Sequence, residues 1–205
     1  MKQLVTMFLI GGLVFSFSLN VEAQKLKLKK GSFAKLKGQK SVKILFEYDT
    51  AVGKFKKESD YVKKKTKEYN EKEAGRGDTW AKAWVGDRQA RFEPKFIELF
   101  NEHIDGKFKL IQSSEETDYT LIFKTTFTEP GFNIGVMKKD ALINGELMLL
   151  KSENLDKALG TLTIEKSPGR TFAGFDYDTG TRLQESYAKA GKECAKYLVK
   201  KELKK

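Results

Sequence analysis

The chain has 205 residues, 40% of them hydrophobic and 12% aromatic, with 15 Phe, 7 Tyr and 3 Pro. That is enough apolar material for one packed domain, and it excludes a proline-rich disordered linker. The formal charge of +11 is concentrated between Lys25 and Lys72, whereas acids and bases nearly balance from Glu73 onward. This excludes an evenly basic protein and suits the front end alone to an anionic partner.

The chain opens with Met1-Lys2, followed by an apolar run from Leu4 to Leu19 and the small-x-small pattern Val21-Glu22-Ala23. The run is shorter than the ~20 residues a permanent membrane helix needs. It predicts a signal peptide over residues 1–23, cleaved after Ala23, with an uncleaved anchor as the alternative. No cysteine stands at the cleavage point, so a lipoprotein signal is not expected. Export places the protein in the periplasm, at the outer membrane or, if secreted, outside the cell, and removes nucleic acid from the expected partners. Cys194 is the sole cysteine, so no internal disulfide is expected.

Residues 24–40 alternate Lys with Leu and then pass Gly31 and Gly38. The pattern fits an edge strand with outward lysines or a basic arm. Val42, Ile44, Phe46 and Tyr48 alternate with Lys43, Leu45 and Glu47, which predicts a strand. It opens a single α+β domain over residues 41–205, with a helical or irregular insert near 50–85. Within the insert Ser59 is placed to cap a helix from Asp60 to about Glu73, whose apolar face of Tyr61, Val62 and Tyr69 is thin. Arg76-Gly77-Asp78 matches the integrin-adhesion tripeptide, but three residues are a weak signal and an ordinary loop is the plain reading.

Trp80 and Trp84 are four residues apart, and Phe92, Phe96, Leu99, Phe100 and Ile104 continue at helical spacing. Pro94 either opens a helix near Glu93 or kinks one begun near Asp78. Lys107 to Gln112 reads as a short strand. Tyr119, Leu121, Phe123, Thr125 and Phe127 then take alternate positions, Glu129-Pro130-Gly131 supplies a turn, and Ala141 to Lys151 and Leu159 to Lys166 complete an antiparallel meander. Between the first two of these strands, Pro130 to Lys139 carries Phe132, Ile134, Val136 and Met137 beside Lys138 and Lys139.

Ser167 to Gly180 reads as a loop with Phe172, Phe175 and Tyr177. Asp178 or Thr179 can cap the last helix, and Thr181 with Gln184 has capping-box spacing. Its stripe is Leu183, Tyr187, Ala190, Cys194 and Leu198, with Gly191 assigned to a close approach to the sheet. The expected fold class is therefore α+β: a mostly antiparallel sheet of about five strands with two helices packed on one face.

Candidate chemistry is sparse. His103 is the one histidine, which cannot supply a two-imidazole zinc motif, and its neighbours Leu99, Phe100 and Ile104 indicate packing at a helix edge. Cys194 lies on the apolar stripe of the last helix and reads as a small core residue. Asp176 and Asp178 lack the twelfth-position acid of a calcium loop. No phosphate-binding glycine loop or nucleophile elbow is present. No cofactor, metal or catalytic residue is expected. The tip Phe132, Ile134, Val136 and Met137 with Lys138 and Lys139 either tucks under the fold or forms an exposed docking patch, and Trp80 and Trp84 carry the same two readings.

The order strand, insert, helix, strand, three-strand meander, helix over roughly Ser41 to Leu203 resembles the small α+β domain of the TolB amino-terminal type, shared with several exported envelope-assembly proteins. The stretches from Asp118 to Asn133 (DYTLIFKTTFTEPGFN) and from Asp176 to Gly180 (DYDTG) resemble a family of exported proteins from Bacteroidota that has no assigned activity. The resemblance implies export and an envelope setting, and brings no catalytic residues with it. The resulting expectation is a non-enzymatic, envelope-associated interaction module that docks on a protein complex or a membrane face. A binder of acidic glycan or lipopolysaccharide through the basic front end is the alternative, and an enzyme without a recognisable motif is a further one.

Overall fold

The computed structural model describes residues 24–169 and 178–204. The signal-peptide reading and the aromatic loop residues Phe172, Phe175, Asp176 and Tyr177 lie outside the described residues.

The chain is an α+β structure built on one six-stranded sheet. Its strands are β1 (Lys25–Gly31), β2 (Ser41–Val52), β3 (Lys109–Ile111), β4 (Tyr119–Glu129), β7 (Ala141–Lys151) and β8 (Gly160–Gly169), and a separate two-stranded hairpin is formed by β5 (Phe132–Asn133) and β6 (Lys138–Lys139). The spatial order is β1-β8-β7-β4-β2-β3. β4, β7 and β8 form the antiparallel meander, and β1 adds to β8 as an antiparallel edge. β2, however, pairs in parallel with both β3 and β4.

The expected mostly antiparallel sheet of about five strands is thus found as a mixed sheet of six, in which the two pairings of β2 are parallel. The cause is the helical segment after β2. A strand that returns to the same sheet through a helical crossover arrives in the same direction, and β3 and β4 both follow that crossover.

The helices are α1 (Glu58–Asn70), α2 (Arg76–Asp87), α3 (Glu93–His103) and α4 (Thr179–Tyr197). α1 starts without a side-chain cap, after Lys57 rather than Ser59, and buries none of its residues. Arg76-Gly77-Asp78 forms the first turn of α2 rather than a loop. A Cβ on Gly77 would lie 2.0 Å from the Thr66 carbonyl oxygen, so only glycine permits this close approach of α1 and α2.

α2 and α3 are continuous through one widened turn, Arg88–Phe92, in which the Glu93 N–H reaches the Arg88 carbonyl. Pro94 has no N–H to offer the preceding turn, and the extra residue in that turn absorbs the mismatch. The two readings of Pro94 thus merge: one helical run begins at Arg76 and passes through a single widened turn just before Pro94.

α3 and α4 cover one face of the sheet. Phe96 packs on Phe46 and Phe123 with ring centroids 5.4 and 4.6 Å apart. Tyr187 of α4 stacks on Phe92 at 4.9 Å, and its hydroxyl hydrogen-bonds Thr125 Oγ1 at 2.8 Å. Ile44, Leu121, Phe123, Leu147, Leu149, Leu162 and Cys194 are fully buried in the same layer. Burial pushes the Cys194 thiol up, as expected for a small core residue.

Pairing shifts occur in β2 between Tyr48 and Ala51, in β4 between Thr125 and Phe127, and between β7 and β8 near Ile143 and Gly145. These bulges fall at one level across neighbouring strands and re-aim everything beyond them. The alternation of β4 breaks there. Thr128 rather than Phe127 is buried, and its hydroxyl pairs with that of Thr50 at 3.1 Å.

Candidate docking surface

The hairpin β5–β6 grows from the far side of that row of bulges. Gly131 enters it at φ +63°, and a Cβ there would sit 2.3 Å from the Lys139 carbonyl oxygen. Its turn, Ile134 to Met137, is closed by an Ile134 N–H to Met137 carbonyl bond of 3.0 Å, and Gly135 at φ +83° donates to Asn133 Oδ1 at 2.9 Å.

Isolated two-stranded hairpins are marginal in water, so its orientation has to come from the base. Arg182, in the first turn of α4 and only 2% exposed, donates from Nε and Nη2 to the Pro130 carbonyl at 3.3 Å and from Nη2 to the Gly131 carbonyl at 3.4 Å. Lys139 Nζ meets Glu129 Oε2 at 2.6 Å across the neck. Charge-assisted bonds of this kind are about twice as strong as neutral ones.

α4 itself is held by Asp178, whose carboxylate accepts from the Gly180 and Thr181 N–H groups and from Arg91 Nη1 at 2.5 Å. Burial pushes that carboxyl up, but the Arg91, Thr181 and Gly180 donors outweigh it and leave the group below its ordinary value. Gly180 sits close beside it: a Cβ would lie 2.2 Å from Asp87 Oδ2, a side-chain end that would have to shift.

The tip is open to water. Phe132 is 41% exposed, Ile134 59%, Val136 91% and Met137 58%, and among the described residues only Val85 and Leu155 are other large exposed hydrophobics. Lys138 and Lys139 are exposed beside them. Of the two expectations for these six residues, burial under the fold is excluded by those exposures. The tryptophans go the other way. Trp84 is 8% exposed, and its indole Nε1 donates to Glu58 Oε1 at 2.7 Å. Trp80 is half-buried among Tyr61, Tyr69 and Trp84, at ring separations of 5.9, 5.6 and 5.6 Å. This aromatic cluster joins the thin face of α1 to α2, so of the two readings for the tryptophans Trp84 takes the buried one, while Trp80 is half-buried and not part of the exposed tip.

The basic front end is also divided. Lys25, Lys27 and Lys29 lie on β1 at one edge of the sheet, whereas Lys54 to Lys72 lie on and around α1 beyond β2, near the other edge. Lys29 pairs with Glu146, Lys64 and Lys65 with Glu68, and Lys67 with Glu71.

The sheet face opposite α3 and α4 carries a shallow cleft of about 600 Å³ containing Glu47, Lys124 and Glu146. The pairing register sets Glu47 opposite Lys124 and Lys124 opposite Glu146, a cross-strand charge ladder that stabilises the sheet without needing a substrate. Among the described residues no cluster of three or more His, Cys, Asp or Glu is placed to hold a metal, and no helix is long and apolar enough to cross a membrane. His103 Nδ1 lies 3.0 Å from the Leu99 carbonyl oxygen, within its own helix.

Arg182, which holds the base of the hairpin, is the residue that sequence reasoning missed. In the sequence it is an ordinary cation in the first turn of the last helix, and the only available hint is its place beside the buried stripe residue Leu183.

No protein-family model matches the chain, and no curated protein matches it. Among solved structures, the PelC dodecamer from Paraburkholderia phytofirmans is similar over 89% of this chain and 100% of its own, with 9% identity and a TM-score of 0.42. A single-residue variant of that PelC dodecamer covers 83% of this chain and 95% of its own at 10% identity and a TM-score of 0.39. A structure described as an uncharacterized protein covers 78% and 99% at 11% identity and a TM-score of 0.35. Similarities at this level carry no argument about what this chain does.

Proposed function

We propose that the protein is an exported, non-enzymatic interaction module of the cell envelope, held to a protein complex or a membrane face by the hairpin Phe132 to Lys139. The observation that carries this reading is the tip itself: Val136 at 91% exposure, with Ile134 and Met137 above half, on a base fixed by buried Arg182. Folding alone gives no reason to hold four neighbouring apolar side chains in water, whereas a partner that covers them does.

The amino-terminal residues support an envelope setting, since Leu4 to Leu19 followed by Val21-Glu22-Ala23 reads as a signal peptide removed after Ala23. The acidic-glycan or lipopolysaccharide alternative has less support, because its lysines divide between opposite edges of the sheet.

The test is fractionation of the native host. Wild-type protein is expected in the envelope fraction, and the double variant Val136→Asp, Met137→Asp in the soluble one, with unchanged circular dichroism. A folded double variant that stays with the envelope would refute the proposal.

A further inference from the structure

The hairpin has a basic neighbour. β2 runs parallel to β4 and ends beside it, where Gly53 donates its N–H to the Thr128 carbonyl at 2.9 Å. The turn from β2 into α1 therefore emerges next to the hairpin. It exposes Lys54, Lys56 and Lys57, and Lys63 follows on α1. Among the described residues none of these four forms an ion pair, whereas most acids near this end are engaged. Glu129 is held by Lys139, Glu58 by Arg88, and Asp87 and Asp178 by Arg91. Asp60, exposed in the first turn of α1, is an acid without an ion pair. The surface beside the apolar tip is accordingly positive.

We infer that the partner of the hairpin is an anionic lipid surface, with Ile134, Val136 and Met137 inserted below the headgroups and Lys54, Lys56 and Lys57 seated on lipid phosphates. The inference rests on the docking reading above and names its partner. Size favours a bilayer over a protein. A stable protein interface takes about 20–30 residues a side, and a turn of four residues between two-residue strands offers far fewer. A bilayer needs only a short apolar insertion, and reversible anchoring becomes firm when that insertion is joined to a basic patch. The tip and the lysine turn supply one of each from adjacent loops. The field of an anionic leaflet falls off within about 10 Å of the headgroups.

The test uses the exported form of the protein with vesicles containing phosphatidylglycerol and with vesicles of phosphatidylcholine alone. A Val136→Cys variant carries an environment-sensitive fluorophore, and Cys194 stays unlabelled because it is buried. Binding to the phosphatidylglycerol vesicles is expected, with a blue shift of the label and quenching by lipids spin-labelled in the acyl chain. Raising salt from about 50 to about 300 mM is expected to weaken binding, and the triple variant Lys54→Glu, Lys56→Glu, Lys57→Glu to lower it at least about ten-fold.

Equal binding to both vesicle types, or binding with the label still in water, overturns the inference. So does an absence of vesicle binding when the Val136→Asp, Met137→Asp variant still leaves the envelope. In that case the docking reading stands, and a protein occupies the tip. If neither envelope nor vesicle association responds to the tip, both readings fall.

Discussion

Gly191→Ala should destabilise the protein even though the same change in a helix ordinarily helps. Replacing an interior helical glycine by alanine gains up to about 1 kcal/mol from propensity. At Gly191, however, a Cβ would lie 2.2 Å from the Phe96 carbonyl oxygen and 3.0 and 3.1 Å from the Phe96 carbonyl carbon and Cα. These are backbone atoms of α3, and no rotamer change can move them aside. α3 and α4 would have to part by roughly 1 Å to restore van der Waals contact. That loosens Phe96, which packs 4.6 Å from Phe123 and 6.1 Å from Phe100. Overpacking of this kind costs about 1–3 kcal/mol, so after the full propensity gain the net loss should be about 0–2 kcal/mol. Urea unfolding followed by circular dichroism measures it, as a lower midpoint at unchanged slope. Gly86→Ala is the matched control: a Cβ there meets nothing within 4 Å, and the substitution should be neutral or stabilising by up to about 1 kcal/mol. If Gly191→Ala stabilises as Gly86→Ala does, α3 and α4 are not in backbone contact and the helical layer is wrongly placed.

Phe123→Ala removes a fully buried ring at the centre of the sheet and should cost ~3–5 kcal/mol in the same assay; a loss under about 1 kcal/mol would remove this face from the core. Arg182→Met keeps the length of the stem but withdraws the donors to the Pro130 and Gly131 carbonyls. It should cost about 1.5–3 kcal/mol and speed amide exchange in the hairpin, and unchanged exchange at Ile134 and Lys139 would show that the base does not depend on it. Asp178→Ala removes a helix cap worth about 1 kcal/mol near neutral pH. Because the folded carboxyl lies below its ordinary value, that contribution is present above the unfolded pKa of about 3.9 and is lost as pH falls through the lower folded value. The gap between wild type and variant should therefore be full at about pH 6, start to narrow near about pH 4 and close only below the lower folded value, and a gap independent of pH would contradict the carboxylate's role.

How far these features can be read from the chain depends on their range. The meander β4–β7–β8 is legible because Tyr119 to Thr125 carry the sequence alternation of a strand and β7 buries every second residue from Ala141 to Leu149, even though β4 also buries Thr120 and Ile122 on its other face. The Asp178 cap is equally local. The parallel pairing of β2 is not local: Val42, Ile44 and Phe46 show which face is buried but leave the neighbouring strand unspecified. That one pairing decides that Lys54, Lys56 and Lys57 stand beside the hairpin. Helical spacing puts Trp80 and Trp84 on one side of a helix, yet only the placement of α1 covers Trp84 and leaves Trp80 half-open. Sequence spacing points Gly191 at the sheet because a stripe residue's partner is invisible in one sequence; it meets Phe96 of α3 instead. The tip shows the same limit from the other side. Phe132 to Met137 is equally apolar whether buried or exposed, and the distinction rests on Gly131, on the bulges before it and on Arg182 below it.

The central claim, that the protein docks through the hairpin tip, is tested most directly by a photoreactive side chain introduced at Val136 in the native host. Irradiation should give a covalent adduct with an envelope component, while the same side chain at Glu102, exposed near the end of α3, gives none. An adduct at Glu102 and none at Val136 would contradict the account.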